Sequence, residues 1–193
     1  HMDDDVVEEE PDELVIEPNS IEDALAELFL EREDVERYID IWKNKQNLIL
    51  QGAPGVGKSF IARRLAYALI GFKDDRKVQT VQFHQSYSYE DFVQGYRPNG
   101  SQGFDRTNGT FYEFRDRALR DPDGTYVFII DEINRGNLSK IFGELMLLIE
   151  SDKRGPIWKT RLAYARDGDP DFYVPENLYI LGMMNTADRS LSL

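Results

Sequence analysis

Cysteine is missing from the chain, which excludes a disulfide framework and any thiolate metal site, and makes a reducing cytoplasm the expected compartment. No apolar run approaches the roughly 20 residues that a membrane-spanning helix needs, and no secretory leader pattern is visible. Positive charge is also scarce. Against 36 Asp and Glu there are 23 Lys and Arg, for a formal net charge of −13, so the chain as a whole has no basic footprint for nucleic acid. If the protein acts on DNA, most of the grip comes from another domain. The excess of acid is local: Asp3, Asp4, Asp5, Glu8, Glu9, Glu10, Asp12, Glu13 and Glu17 are carboxylates in a stretch without Lys or Arg. Residues 1–19 therefore read as an acidic linker or tail, and residues 20–193 as a nearly balanced domain with a core of its own.

What is present is a phosphate cradle. Gln51-Gly52-Ala53-Pro54-Gly55-Val56-Gly57-Lys58-Ser59-Phe60 holds a complete G-x-x-x-x-G-K-[S/T] pattern between Gly52 and Ser59. Its glycines let successive backbone N–H groups turn toward one anion, Lys58 adds a point charge, and Ser59 offers a hydroxyl to Mg²⁺. The flanks fit. Asn47 to Leu50 reads as an apolar strand of the buried type, and Ser59 to Ile70 as a helix with Ile61, Leu65 and Leu69 on one face, stopped by Gly71. Such a helix starts at the phosphates and adds its dipole to them.

Upstream, Ser20 to Asp23 resembles a capping box with Asp in place of Glu or Gln, opening a helix that turns Ile21, Ala24, Leu25, Leu28 and Phe29 inward. Val35, Tyr38, Ile39 and Trp42 form the packing stripe of a second helix. Downstream, Val78 to Phe83 alternates as a strand and runs into the aromatic and polar stretch 84–92, in which His84 reads as structural. Asn99 to Gly109 reads as a long loop, and Phe111, Phe114 and Leu119 predict a helix to Arg120, closed by the turn 121–124.

Tyr126 to Glu132 is the second informative stretch: an apolar strand ending in two carboxylates at the carboxyl edge of a parallel sheet, where open α/β folds bind ligands. Asp131 is placed to hold Mg²⁺ with Ser59, and Glu132 to polarise a water for attack on the terminal phosphate. Leu138, Ile141, Phe142, Leu145, Leu148 and Ile149 predict one core-packed helix over 137–150. Residues 156–162 and 171–174, separated by Asp167-Gly-Asp-Pro170, predict a hairpin. Lys159 and Arg161 share one of its faces, as solvated charge or, alternatively, as a nucleic-acid contact facing a pore. Leu178 to Met184 is the fourth strand, and it delivers Asn185, whose amide can reach the terminal phosphate or the attacking water. The Asn-x-x-Asp spacing at 185–188 does not make a guanine reader, because strand tips beside the phosphate loop lie at the γ-phosphate rather than at the base.

This arrangement resembles the AAA+ division of P-loop NTPases, an α/β fold in which a central parallel sheet forms the middle of a three-layer sandwich. The strings QFHQSYSYEDFVQGYRPNG, FIIDEINRGNLSKIFGELMLLIE and MMNTADRSL narrow it to a resemblance with the GTPase motors of McrBC-type methylation-dependent restriction systems, covering about residues 20–193. The resemblance implies catalytic or binding roles for Lys58, Ser59, Asp131 and Glu132 as derived above, and a sensor role for Asn185. It also implies that Asp188 and Arg189 help organise the catalytic water and the subunit interface. GTP or GDP with Mg²⁺ is the implied ligand, with ATP as the alternative. The implied partners are further copies in a ring, a hexamer when complete, a nuclease subunit, and DNA held mainly by a separate amino-terminal domain. In that family the pattern continues into a last strand, an arginine acting in trans and a helical lid, so the large subdomain is expected to be incomplete at Leu193 and slow in turnover. Two other readings stay open: an ATP-dependent remodelling chaperone of the MoxR-like branch, and a nucleotide-regulated scaffold, against which Glu132 counts.

Overall fold

A computed structural model describes residues 17–28, 30–100 and 103–186. The elements run β1 (Glu17–Pro18), α1 (Ile21–Glu27), α2 (Arg32–Lys45), β2 (Asn47–Gly52), α3 (Lys58–Ile70), β3 (Phe72–Lys73) and β4 (Val78–Gln82). They continue with α4 (Tyr89–Phe92), β5 (Gln94–Pro98), β6 (Phe104–Asn108), α5 (Thr110–Arg120), β7 (Tyr126–Asp131), α6 (Leu138–Phe142), α7 (Leu145–Leu148) and β8 (Leu178–Asn185). Phe29, most of the acidic tail, Asp188 and Arg189 lie outside the described residues.

Four strands make one parallel sheet in the order β2-β8-β7-β4. β7 is the clearest case of sequence dictating placement. Its apolar run has no polar face, as expected of a strand covered on both sides. Val127 and Ile129 pack with α1, α2 and α3, whereas Tyr126, Phe128 and Ile130 pack with α4, α5, α6 and α7. The two apolar clusters are the outer interfaces of the three-layer sandwich. On the second face the rings of Phe92 and Phe111 stack at 4.8 Å, and Phe111 meets Phe128 edge-on at 5.1 Å. Each buried Phe contributes about 2–3 kcal/mol by leaving water. On the first face, buried Trp42 donates its Nε1–H to Ile180 O at 3.0 Å, which ties α2 to β8.

The capping box at α1 is present: the Ser20 hydroxyl accepts the Asp23 N–H at 3.2 Å, and Asp23 Oδ2 accepts the Ser20 N–H at 2.7 Å. The shorter Asp side chain still reaches. Four expectations need correction. β2 is an edge strand with Ile49 53% exposed, so its apolar run is not that of a strand buried on both faces. The helix predicted over 137–150 is broken into α6 and α7 at Gly143, which sits at φ +52° and ψ −127°, a conformation outside the helix that side chains resist. Leu145 and Leu148 remain buried with Ile141 and Phe142, because the break keeps the apolar phase. The predicted hairpin over 156–174 reduces to one bridge, Thr160 with Phe172, because residues 156–158 turn as a 3₁₀ helix before a ladder can grow. The loop predicted over 99–109 contains β6, paired antiparallel with β5 from Gln94–Asn108 to Pro98–Phe104.

Candidate functional site

Because β2, β7 and β8 are parallel neighbours, their carboxyl ends arrive at one edge of the sheet. The register decides what meets there. Gly52, the last residue of β2, sits opposite Asn185, the last residue of β8, and the Thr186 N–H reaches Gly52 O at 3.1 Å.

From Gly52 the chain turns through Ala53, Pro54, Gly55 and Val56 into Gly57, the residue capping α3. Gly55 and Gly57 adopt φ +79° and +80°, left-handed values that a β-carbon would strain. The loop is exposed, as is Ser59 in the first turn of α3, whereas Lys58 is half-buried. Phe60 lies 47% exposed just outside, with the Arg64 guanidinium 4.3 Å over its ring.

Lys58 Nζ donates to Gly52 O at 3.1 Å, to Ala53 O at 2.7 Å and to Asn185 Oδ1 at 2.6 Å. An ammonium has three protons to donate, so all of them are engaged. The other end of the Asn185 amide, Nδ2, donates to Glu132 Oε1. Lys58, Asn185 and Glu132 therefore form one continuous hydrogen-bonded chain across three strand ends. Glu132 follows β7 in the left-handed region, at φ +52°, and its N–H donates to Asp131 Oδ1 at 2.9 Å. Its side chain is 13% exposed.

Asp131 and Ser59 are hard oxygen donors of the kind Mg²⁺ takes, and no group of three His, Cys, Asp or Glu among the described residues could hold a metal unaided. That donor set fits Mg²⁺, which binds through one or two protein oxygens together with substrate phosphates and water. Arg135 was not singled out by its sequence context, yet its Nε lies 3.3 Å from Glu132 Oε2. The available signal was its position three residues after the second acid. His84 lies off this chain, in a polar hollow of about 360 Å³ with Tyr87, Asp91 and Arg97.

Farther out, the Tyr89 hydroxyl and the Ala163 N–H both donate to Glu144 Oε1, at 2.7 and 3.1 Å, and so dock the 156–174 segment on α4. Burial, and then the Glu144 carboxylate, push the Tyr89 hydroxyl pKa well up. The Arg106 guanidinium, helped by the Arg166 N–H, holds the Asp169 carboxyl well below the usual range. Lys159 and Arg161 are paired with Asp171 and Asp167 at 3.1 Å each.

The sequence is similar to the EcoKMcrB subunit of the type IV methyl-directed restriction enzyme of Escherichia coli strain K12, 58% identical over 173 residues that cover 90% of this chain and 38% of that protein. It is also similar to the type II restriction enzyme BsuMI component YdiS of Bacillus subtilis strain 168, 28% identical over 181 residues that cover 76% of this chain and 52% of that protein. The chain thus spans well under two thirds of either relative. A solved structure of an ATPase candidate from Cytophaga hutchinsonii shares 15% identity at a TM-score of 0.49, covering 89% of this chain and 44% of that one. No helix among the described residues is long and apolar enough to cross a membrane. The AAA domain of the dynein-related subfamily matches residues 47–193, from the first residue of β2 through all four sheet strands and the site above them. The chain belongs to that AAA family, and within it is similar to the McrB subunit of a type IV methyl-directed restriction enzyme.

Proposed function

We propose that this chain is the hydrolytic part of a GTP-driven AAA+ motor in a methylation-dependent DNA restriction system. The observation that carries the reading is the Lys58–Asn185–Glu132 chain at the mouth of the glycine loop. It brings together a phosphate-binding cation from the start of α3, an amide at the end of β8 and an acid just past β7, the components that in-line attack of water on a terminal phosphate needs.

In this mechanism the loop N–H groups of Gly55 to Ser59 and the Lys58 ammonium bind the β- and γ-phosphates. The Ser59 hydroxyl and the Asp131 carboxylate would hold Mg²⁺, which would supply countercharge to those phosphates. Glu132 orients a water, which forms the new bond to the γ-phosphorus while the bond to the bridging oxygen breaks, and takes up the proton the water loses. Asn185 steadies the γ-phosphate or that water. Asp188 and Arg189 act at the water and the subunit boundary, and an arginine from a neighbouring copy completes the site, as in rings of this type. Because such an arginine is worth about 10³–10⁵ in rate where it is used, this chain alone turns over slowly.

Residues 20–193 act as the large subdomain of the motor, with 1–19 as an acidic linker. The assembly is a ring, a hexamer when complete, that moves along DNA and activates a nuclease subunit in the cytoplasm. DNA is gripped mainly by a separate amino-terminal domain. In support, the cations Arg97, Arg106, Lys159 and Arg161 are each matched by a carboxylate rather than left for phosphate. The GTP preference rests on the likeness of the quoted strings to McrBC-type motors, since none of the described residues plainly reads the base.

The test is calorimetric binding of GTP, GDP and ATP with Mg²⁺ to the full-length protein. Guanine nucleotides binding at least tenfold tighter than ATP is the expected result. ATP binding as tightly as GTP overturns the GTP assignment and favours a MoxR-like ATP-driven remodelling activity.

A further inference from the structure

Glu132 is gripped at more points than the strand–acid–acid motif requires. Its N–H is fixed by Asp131 Oδ1, and its carbonyl accepts the Arg135 N–H at 2.8 Å, closing the 3₁₀ turn Ile133–Arg135. That turn carries the Arg135 side chain back over the acid. The two carboxylate oxygens are then treated differently. Oε1 accepts the Asn185 amide, whereas Oε2 is buried and receives no hydrogen bond, although the Arg135 Nε stands 3.3 Å away as an ion pair. With almost no surface open to solvent, Oε2 meets the Arg135 cation rather than water. The same ion pair opposes rotation of the carboxylate about its last bond, which the single amide contact on Oε1 does not prevent by itself.

We propose that Arg135 is a positioning residue for the hydrolytic step: by holding Oε2 it fixes the orientation in which the Glu132 carboxylate, with Asn185 on its Oε1, meets the attacking water. The proposal rests on the role assigned to Glu132 above and adds a residue to it. Arg135 acts through Glu132. Its removal therefore costs the step that needs an aimed acid and spares nucleotide binding, which uses the loop and Lys58. The turn itself is closed by the backbone N–H of Arg135, which every non-proline replacement keeps, so Arg135→Met leaves the local fold in place.

The experiment measures Mg²⁺-dependent GTP and ATP hydrolysis by the full-length protein carrying Arg135→Met, Arg135→Lys or Glu132→Gln. In parallel, NMR of the Asn185 side-chain amide is recorded without nucleotide, since that amide reports whether the carboxylate stays in place. Arg135→Met is expected to lower kcat roughly tenfold with KM within about twofold, and to broaden or shift the Asn185 amide signal toward its Glu132→Gln position. Arg135→Lys is expected to restore most of kcat, because an ammonium still supplies a countercharge. Wild-type kcat in Arg135→Met, an Asn185 signal that does not move, or a lysine variant as slow as the methionine one each overturns the proposal. A parent protein that hydrolyses neither nucleotide refutes the hydrolase reading and this proposal with it. Turnover in the parent with an indifferent Arg135→Met refutes this proposal alone.

Discussion

Lys58 Nζ and Asn185 Oδ1 stand 2.6 Å apart although 127 positions separate them in the chain. The contact follows from register, since Gly52 and Asn185 face each other across the β2–β8 ladder and Lys58 reaches back over the turn that begins at Gly52. All three ammonium protons are engaged, so a phosphate oxygen at Lys58 has to displace one of the present acceptors. Lys58→Ala should weaken triphosphate binding by at least about a hundredfold, roughly 2.7 kcal/mol, while the melting temperature changes little. Calorimetry on a variant whose melt is unchanged checks this, and unchanged affinity contradicts it.

Replacing Asn185 separates a steric role from an electronic one. Asn185→Asp keeps the shape but places a second carboxylate beside Glu132 and a full negative charge on Lys58. Like charges at that distance repel, and a neutralised Lys58 attracts phosphate less. The aspartate variant should therefore bind triphosphate more weakly and turn over at least about a hundredfold more slowly than the parent. Asn185→Ala, which frees a Lys58 proton, should lose turnover without losing affinity. Titration and steady-state rates on the two variants distinguish these outcomes.

Gly143 is the point at which the α6–α7 break is imposed. With φ at +52° and a built β-carbon only 3.1 Å from the Tyr89 ring, Gly143→Ala carries both strain and a contact that the ring has to relieve. A loss of about 1–3 kcal/mol in chemical denaturation is expected. A neutral or stabilising effect would mean that residues 138–149 form one helix after all.

The Arg106–Asp169 pair joins β6 to the 156–174 segment. Because the Asp169 carboxyl pKa is lowered in the folded protein, its contribution is present above the ordinary carboxylate pKa near 4 and is lost as pH falls through the lower folded value. Asp169→Asn should therefore depress the melting temperature equally at about pH 5 and about pH 8, and the difference should fade only in strong acid. A penalty that grows between those two pH values contradicts this assignment.

The parts of the fold that sequence reveals are those written in contiguous residues. Gly52 to Ser59 and Tyr126 to Glu132 each carry their pattern in one stretch, and the structure places both at the expected strand ends. Leu145 and Leu148 gave the correct buried face but not the break, because periodicity survives a kink that only the backbone angles of Gly143 reveal. Ile49 looked buried because its neighbours are apolar; edge position depends on strand order, which no local pattern encodes. Asp167 to Pro170 did form a turn, with the Asp169 N–H on Arg166 O at 3.0 Å, but the flanking residues pair once and then diverge. The ion pair of Arg135 with Glu132 is not legible in the sequence, because a 3₁₀ turn three residues long leaves no periodic signal.

The central claim is that Glu132 makes this site hydrolyse nucleotide. Phosphate release from GTP and from ATP, measured with Mg²⁺ on the full-length protein and on its Glu132→Gln variant, tests it most directly. Release is expected to be faster from GTP than from ATP in the parent, and to fall by at least about a hundredfold in the variant with GTP still bound. Equal turnover by parent and variant would contradict it.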